Sequence, residues 1–263
     1  MAVEEYEGQK FLAQACDLVQ DWIAVEEALQ ITINNKPFSV TMRTPGEDTA
    51  LVRGLLYAED VYRGAEDLKI DFRKKNAITQ IANVQLKKEQ LGTGFNNSRT
   101  LLSVSSCGIC GKQELNDEST FKACLTDHRT ISIQQLYQLF ETMREQQDDF
   151  LRAGGSHAAA AFSTAGELLC LMEDIGRHNA VDKVVGALLG QQQLPQAVGL
   201  LVSGRISYEI VAKAYSANIP ILAAVSAPSS LAIQYAKQFG LTLLGFCRGE
   251  KATCYANPQR IDY

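Results

Sequence analysis

Apolar and polar residues alternate in two short stretches near the N-terminus, residues 29–33 and 38–42. The turn-forming sequence Asn-Asn-Lys-Pro lies between them, and this combination predicts a β-hairpin. Polar alternation across residues 68–86 predicts two further strands. The first twenty or so residues lack a clear period, and we interpret them as a short helix or a loose tail.

Asp48 is a good helix-capping residue, and the apolar spacing after it predicts a short helix that ends near Tyr57. A second helix is predicted from Ser132, because Ser132 and Gln135 form a capping-box pattern. Its apolar positions continue to about residue 151. The runs 157–163 and 167–172 then predict another hairpin.

The last third of the chain alternates between apolar runs and helical patterns. The runs have few polar breaks, which is typical of parallel strands that are buried on both faces. The order favours a three-layer α/β sandwich. Predicted helices cover 179–189, 206–217 and 230–239, and predicted strands cover 197–203, 219–225 and 241–247.

These patterns divide the chain into three parts. Residues 1–91 are predicted to form a small α+β domain, and residues 131–263 an α/β domain. Residues 92–130 are rich in Gly, Ser, Asn and Thr and have weak periodicity, so we expect a mobile loop there. Long loops in compact proteins are often functional.

Composition narrows the class of protein. The chain has 263 residues, is 46% hydrophobic and carries a net charge of −5. This charge disfavours a general nucleic-acid or membrane-surface binder, and no signal peptide or membrane span is recognisable. The seven scattered cysteines argue for a reducing environment, so we expect a cytoplasmic protein.

The predicted sheet indicates where a ligand would bind. In open α/β sheets, ligands bind beyond the carboxyl ends of the strands. Helix N-termini offer free N–H groups to anions there. The corresponding loops favour a phosphate-bearing, dinucleotide-like ligand, although ordinary turns and caps are the alternative. The polar and cationic side chains predicted at this edge are Arg177, His178, Arg205, Ser226, Arg248 and Lys251.

The stretch "VSSCGICGK" carries Cys107 and Cys110 two residues apart. With Cys124 and His128 the spacing is compatible with a structural Cys3His zinc site. Dithiol redox chemistry and sulfur carriage on a persulfide are the other two interpretations. A carrier thiol must be accessible and ionisable, and a free cysteine has a pKa of about 8.5. The residues alone leave all three open.

Six motifs occur in order along the chain, which resembles the family of formate dehydrogenase accessory sulfurtransferases (FdhD) from about residue 25 to residue 260. The motifs are "VSSCGICGK", "GGSHAAA", "EDIGRHNAVDK", "SGRISYE", "AVSAPSSLA" and "GFCRGEK".

The resemblance implies a cytidine-deaminase-like fold for the C-terminal domain, without the deaminase zinc motifs. It implies a sulfurtransferase that takes sulfur from a cysteine desulfurase. The acceptor would be the bis(molybdopterin guanine dinucleotide) cofactor needed by formate dehydrogenase. Cys107 would carry the persulfide and Cys110 would assist. A homodimer and no resident metal are also implied.

The resemblance further assigns cofactor binding to the segment Phe246, Cys247, Arg248, Gly249, Glu250 and Lys251. This agrees with the strand-end argument. Cys124 and His128 lie outside the family motif, which weakens the zinc interpretation. A cofactor chaperone that binds the dinucleotide without moving sulfur is the remaining alternative.

Overall fold

The computed structural model describes residues 2–95 and 124–263. It begins with an antiparallel hairpin of β1 (Val3–Leu12) and β2 (Ala15–Ala24). The prediction of a short helix or loose tail here was therefore wrong. Among the hairpin's paired residues only Val3 is buried, so its sequence lacks the buried-face alternation that identifies most strands.

The N-terminal sheet follows, and the predicted strands are confirmed. Its order is β4-β3-β6-β5, and β3 runs parallel to β6. The turn between β3 and β4 places Asn34 and Asn35 at positive φ, as a tight hairpin requires. The bounds are β3 (Glu27–Ile33), β4 (Lys36–Arg43), β5 (Lys69–Asn76) and β6 (Thr79–Gln85).

Helix α1 (Asp48–Ala58) packs its apolar face on this sheet, with Leu51 and Leu56 fully buried. Asp48 is not its cap, because the cap position is Glu47 and makes no side-chain capping bond. Asp48 instead binds the buried guanidinium of Arg43, with 2.8 Å between Nε and Oδ1. The carboxylate that we predicted would cap the helix therefore forms an ion pair with Arg43 instead.

The predicted capping box of Ser132 and Gln135 is confirmed at the start of α2 (Ile133–Glu145). The helix does not continue to residue 151, since a separate short helix, α3 (Asp148–Ala153), follows. The carboxylate of Glu173 accepts hydrogen bonds from the backbone N–H groups of Asp149 (2.8 Å) and Phe150 (2.9 Å). These bonds stabilise a new helix start, which local periodicity cannot reveal.

The large sheet has the order β13-β12-β11-β10-β8-β9. Strands β10, β11 and β12 are parallel, and β8, β9 and β13 run antiparallel to their neighbours. The predicted strands are confirmed, whereas β13 was not predicted. The bounds are β8 (His157–Phe162), β9 (Leu168–Asp174), β10 (Gly199–Val202), β11 (Ile221–Ala224), β12 (Thr242–Arg248) and β13 (Lys251–Ala256).

Helices cover both faces of the large sheet. On one face α2 packs Leu136 and Phe140 against the strands. The other face carries α4 (Arg177–Gly190), α5 (Tyr208–Ser216) and α6 (Ser230–Phe239), as predicted. A short pairing of β7 (Ile131–Ser132) with β14 (Ile261–Asp262) completes the described strands. The specific likeness to cytidine deaminase and the domain boundaries at 91 and 130 stay predictions.

Glycines bring α1 and α4 into direct backbone contact. A methyl group on Gly54 would overlap the carbonyl oxygen of Asp182, and one on Gly186 would overlap that of Ala50. The N-terminal sheet and its helix are therefore packed closely against the large sheet's own helix layer. In the described part of the chain, no helix has the length and apolar character needed to cross a membrane.

Candidate functional site

The predicted site residues lie along the carboxyl edge of the parallel strands. Ser203 follows β10, and its hydroxyl accepts a hydrogen bond of 2.9 Å from the backbone N–H of Ala158. Strand β8 is antiparallel to β10, so its first residue, His157, lies at this edge beside Gly204. Gly204 is also next to the side chain of Arg177, the first residue of α4.

Further contacts link the loop after β10 to the loop after β11, and that loop to the end of β12, where the turn to β13 begins. Ile206 forms a parallel bridge with Pro228. The backbone N–H of Phe246 donates to the carbonyl of Ser226 (3.1 Å), and Arg248 Nε donates to the carbonyl of Val225 (3.0 Å). We call this edge the rim. It comprises Arg177, His178, Arg205, Ser226 and the segment 246–251.

Two helix N-termini open onto the rim. Gly176 precedes α4 and supplies no side-chain cap. Ser207 precedes α5, but its hydroxyl lies 3.2 Å from His178 Nε2 and makes no capping bond. By contrast, Ser229 does cap α6 through the N–H of Ala232. The first turns of α4 and α5 therefore offer N–H groups to an anion.

Asp174 holds the start of α4 in place. Its Oδ1 accepts hydrogen bonds from the Gly176 N–H (2.8 Å) and from Asn179 Nδ2 (2.9 Å). Its Oδ2 pairs with Lys183 Nζ at 2.8 Å, and the side chains of Asp174, Asn179 and Lys183 are all buried. Much of the motif "EDIGRHNAVDK" thus positions the rim rather than lining it, which sequence reasoning did not foresee.

From the sequence, His157 is either a buried structural histidine or a functional one near the predicted edge, and the structure places it in the same cluster. Burial lowers its pKa from the ordinary 6.5, and the nearby positive charges of Arg177 and Arg205 lower it further. Among the described residues, Arg177 Nε is buried and has no hydrogen-bond partner. The cluster therefore combines strong positive potential with unused donor capacity. The antiparallel direction of β8 relative to β10 brings His157, the first residue of β8, to this edge.

The segment 246–251 forms the end of β12, a tight turn and the start of β13. Phe246 is 47% exposed and adopts a positive φ of 56°, which is unusual for a bulky residue. The backbones of Arg248 and Lys251 pair across the turn, where Gly249 also has positive φ. Strand alternation at this end leaves Phe246 and Arg248 exposed on the rim.

Three residues of the segment do not face the side of the rim that Phe246 and Arg248 expose. Cys247 is 2% exposed and packs in the apolar core under α2, and burial raises its pKa to about 12. Glu250 and Gly249 face a shallow groove of about 400 Å³ beside α2, which Tyr137 and Glu141 also line. The thiol of Cys247 is therefore separated from the exposed rim.

Cys107 and Cys110 lie outside the described residues. The chain is described again from Cys124, which packs against Gly240 at the amino edge of the large sheet. Leu125 is fixed there by the carbonyl of Phe239 (2.8 Å). Within residues 2–95 and 124–263, no group of three His, Cys, Asp or Glu side chains forms a metal cluster. The Cys3His alternative includes both loop cysteines and stays untested.

The fold and the rim define an α/β protein with a cationic edge at the carboxyl ends of its parallel strands. The model described as the FdhD/NarQ family matches residues 24–262, and the chain belongs to this family. The resemblance drawn from the six motifs is thereby confirmed.

Curated relatives match over nearly their whole length. A protein named "Sulfur carrier protein FdhD" from Sulfolobus acidocaldarius is 43% identical over 244 residues, covering 92% of each chain. A protein of the same name from Mycobacterium tuberculosis is 41% identical over 251 residues, covering 91% of each chain. The crystal structure of a protein described as a formate dehydrogenase accessory protein from Desulfotalea psychrophila has a TM-score of 0.78. It is 19% identical, with both chains fully covered, and supports the fold.

Proposed function

We propose that this protein is a sulfurtransferase that moves persulfide sulfur from a cysteine desulfurase to the bis(molybdopterin guanine dinucleotide) cofactor of formate dehydrogenase. The sulfur-carrying part is supported by the name of its relatives, which are more than 40% identical over nearly the whole chain. The cofactor part is supported by one structural observation. Two helix N-termini without side-chain caps and several cationic side chains lie along the rim.

In the proposed loading step, the Cys107 thiolate attacks the terminal sulfur of the desulfurase persulfide. The bond between the two sulfurs of the desulfurase persulfide breaks, and the desulfurase regains its thiolate. A new bond joins Cys107 to the transferred sulfur, so no external oxidant is needed. If the sulfur passes directly to the cofactor, a nucleophilic atom of the cofactor attacks the outer sulfur and supplies the electron pair of the new bond, the S–S bond breaks, and Cys107 leaves as the thiolate. If Cys110 attacks Cys107 instead, a disulfide forms and hydrosulfide leaves.

The rim would bind the phosphates of the cofactor, which is the substrate. Arg177 and Arg205 flank the exposed N–H groups of α4 and α5, and Arg248 and Lys251 approach from the β12–β13 turn. Guanidinium groups bind phosphate oxygens through paired hydrogen bonds. Burial lowers the pKa of His157 and the same cations lower it further, and a bound anion would offset the charge of the cations.

Chain length permits the thiol to reach the rim. Cys107 is separated from Phe95 by about 12 residues and from Cys124 by about 17, which limits the two spans to about 40 Å and about 55 Å. A strand as long as β12 crosses only about 23 Å. The number of residues on each side of Cys107 therefore allows its thiol to contact the rim.

Mass spectrometry after loading tests the proposal. The full chain is incubated with a cysteine desulfurase and free cysteine, and we expect Cys107 to gain the mass of one sulfur atom. Cys107→Ala should abolish the adduct, while Cys16→Ala, an exposed cysteine in β2, should leave it unchanged. Absence of the adduct from both loop cysteines would overturn the proposal.

The chaperone alternative predicts a different result in cells. Under it, Cys107→Ala would still yield active formate dehydrogenase, because only cofactor binding would matter. The zinc alternative predicts stoichiometric metal in the purified protein, which elemental analysis measures.

The proposal includes a cytoplasmic homodimer that interacts with formate dehydrogenase and presents two rims to the two nucleotide halves of the cofactor. Light scattering with and without guanosine diphosphate tests the dimer. A monomer under both conditions would remove this element of the proposal and leave the sulfur step intact.

A further inference from the structure

The β1–β2 hairpin carries an unusual number of exposed apolar side chains. Phe11 is 76% exposed and Leu18 is 69% exposed. The base of the hairpin is fixed, since Val3 is buried and the guanidinium of Arg152 lies 4.4 Å from the centre of the Trp22 ring. The remaining exposed apolar residues of the hairpin are Tyr6, Leu12, Trp22 and Ile23.

The strand register places several of these side chains on one face. Trp22 is paired with Glu5, Leu18 with Gln9, and Phe11 with Cys16. Directly paired residues in an antiparallel sheet point to the same side, and every second residue shares that side. Phe11, Leu18 and Trp22 therefore form one apolar row, and Glu5 lies on the same face. We call this face the hairpin face.

Both outer edges of the hairpin are available for pairing. Within the described residues, β1 and β2 pair only with each other. Each strand has ten residues, and neither contains proline or a register shift. Long edge strands with exposed apolar residues are templates for strand addition. A two-stranded hairpin is also marginally stable by itself, so a further strand would stabilise it.

Charge identifies what would add to this edge. Residues 3–24 contain five carboxylates and one lysine, a net charge of −4 within a chain of net charge −5. The carboxylates are exposed, so they repel nucleic acids, anionic lipid surfaces and a second copy of the same hairpin. They attract a strand that carries lysine or arginine.

We propose that the hairpin face and its edges are the docking surface for an extended protein segment that combines basic residues with apolar ones. The partner adds as a strand, its backbone pairs with the free edge, and its cations lie near Glu5 and Glu7. The family model begins at residue 24, where β2 ends. The docking surface therefore lies outside the residues that the family model matches. The proposal does not depend on the proposed sulfur transfer.

Trp22 gives a local readout, because it is the only tryptophan in the chain. The probe is a capped peptide of alternating lysine and valine with the length of β1, and the control peptide has glutamate in place of lysine. We expect the lysine peptide to shift the Trp22 emission saturably and to bind at least ten-fold less tightly in high salt. The glutamate peptide should produce no shift.

Two double charge-reversal variants distinguish binding at the hairpin from attraction by the overall negative charge of the protein. Glu5→Lys with Glu7→Lys should weaken binding at least ten-fold. Glu89→Lys with Glu167→Lys makes the same change in net charge at exposed sites on other elements, and should leave binding unchanged. Thermal unfolding checks that both variants are folded.

An apolar variant tests the other half of the surface. Leu18→Ser should weaken peptide binding without lowering the thermal midpoint, because this side chain is exposed. Equal binding of both peptides, equal weakening by both charge pairs, or an unresponsive Trp22 would overturn the proposal. A dimer that Phe11→Ser dissociates would also overturn it, since the occupant would then be a second copy.

Discussion

The ammonium nitrogen of Lys183 lies 2.8 Å from Oδ2 of Asp174, and both side chains are almost fully buried. Lys183 also donates to the carbonyls of Thr44 (3.0 Å) and Glu173 (3.1 Å). The backbone N–H of Thr44 in turn donates to Asp174. One buried ion pair therefore joins the end of β9, the second turn of α4 and the chain that leaves the N-terminal sheet. It fixes the helix start that contributes Arg177 to the rim.

Replacing Lys183 with methionine should strongly destabilise the fold. The substitution leaves the Asp174 carboxylate buried without its cation, which typically costs about 3–5 kcal/mol. Urea unfolding measures this loss. Lys237→Met, at an exposed position near the end of α6, is the matched control and should change the free energy of unfolding by under about 0.5 kcal/mol. A loss at Lys183 as small as the control's would show that the pair is not important for stability.

Gly54→Ala should separate α1 from α4. Its methyl group would meet the carbonyl of Asp182, and overpacking of this kind costs about 1–3 kcal/mol or more. Gly190→Ala, at the end of α4, has open space around the new methyl group and is the control. Thermal unfolding should therefore show a lower midpoint for the first variant only. An unchanged midpoint for Gly54→Ala would contradict the close backbone contact.

Arg177→Gln and Arg205→Gln should each weaken the binding of guanosine diphosphate at least ten-fold. Each removes one charge-assisted phosphate contact, worth about 1.5–3 kcal/mol. Isothermal titration calorimetry measures the affinity. Arg73→Gln removes the same charge at an exposed position on β5, in the N-terminal sheet and outside the rim. This control substitution should have no effect. Equal losses in all three variants would indicate general electrostatic attraction instead of a site.

His157 should titrate below pH 6.5 in the free protein and at a higher pH when an anion is bound. The lowered pKa means that the unfolded chain binds more protons in this range, so stability decreases as the pH falls below 6.5 toward the folded-state value. An anion beside Arg177 and Arg205 offsets their charge and raises the pKa of His157. Affinity for pyrophosphate should therefore increase as the pH falls through this range.

NMR titration of the histidine ring, with and without pyrophosphate, measures both effects. His157→Gln should abolish the pH-dependent part of the affinity. A free-protein pKa at or above 6.5, or a pKa that pyrophosphate does not raise, would contradict the proposed position of the anion.

Cys247 should resist alkylation in the folded protein. Burial raises its pKa to about 12 and that of Cys170 to about 11, so neither thiol ionises near neutral pH. Cys16 is exposed on the hairpin and should react with iodoacetamide at pH 8 before Cys247 and Cys170 do. Peptide mass spectrometry measures the order. Rapid labelling of Cys247 would place its thiol on the accessible rim, contrary to its position under α2.

Much of the fold could be predicted from local patterns. Helix α6 was predicted with its actual bounds, because its apolar period, its Ser229 cap and its C-terminal glycine all agree. The parallel strands were recognisable because burial on both faces requires continuous apolar runs. The hairpin β1–β2 was missed because a strand exposed on both faces has no such requirement. The break between α2 and α3 depends on Glu173, which is distant in sequence.

The sequence by itself determined the family, the strand-end location of the cationic loops and the pair of cysteines. Each of these features depends only on local residue types and their order along the chain. Only the tertiary structure decided which residues share a site. Strand pairing placed His157 beside Arg177, and the alternation of β12 directed Cys247 into the core while leaving Phe246 exposed. Burial of the ion pair between Asp174 and Lys183 made these two residues the support of α4. Such roles depend on which groups meet across the fold and on how much water is excluded between them, and no local pattern encodes either.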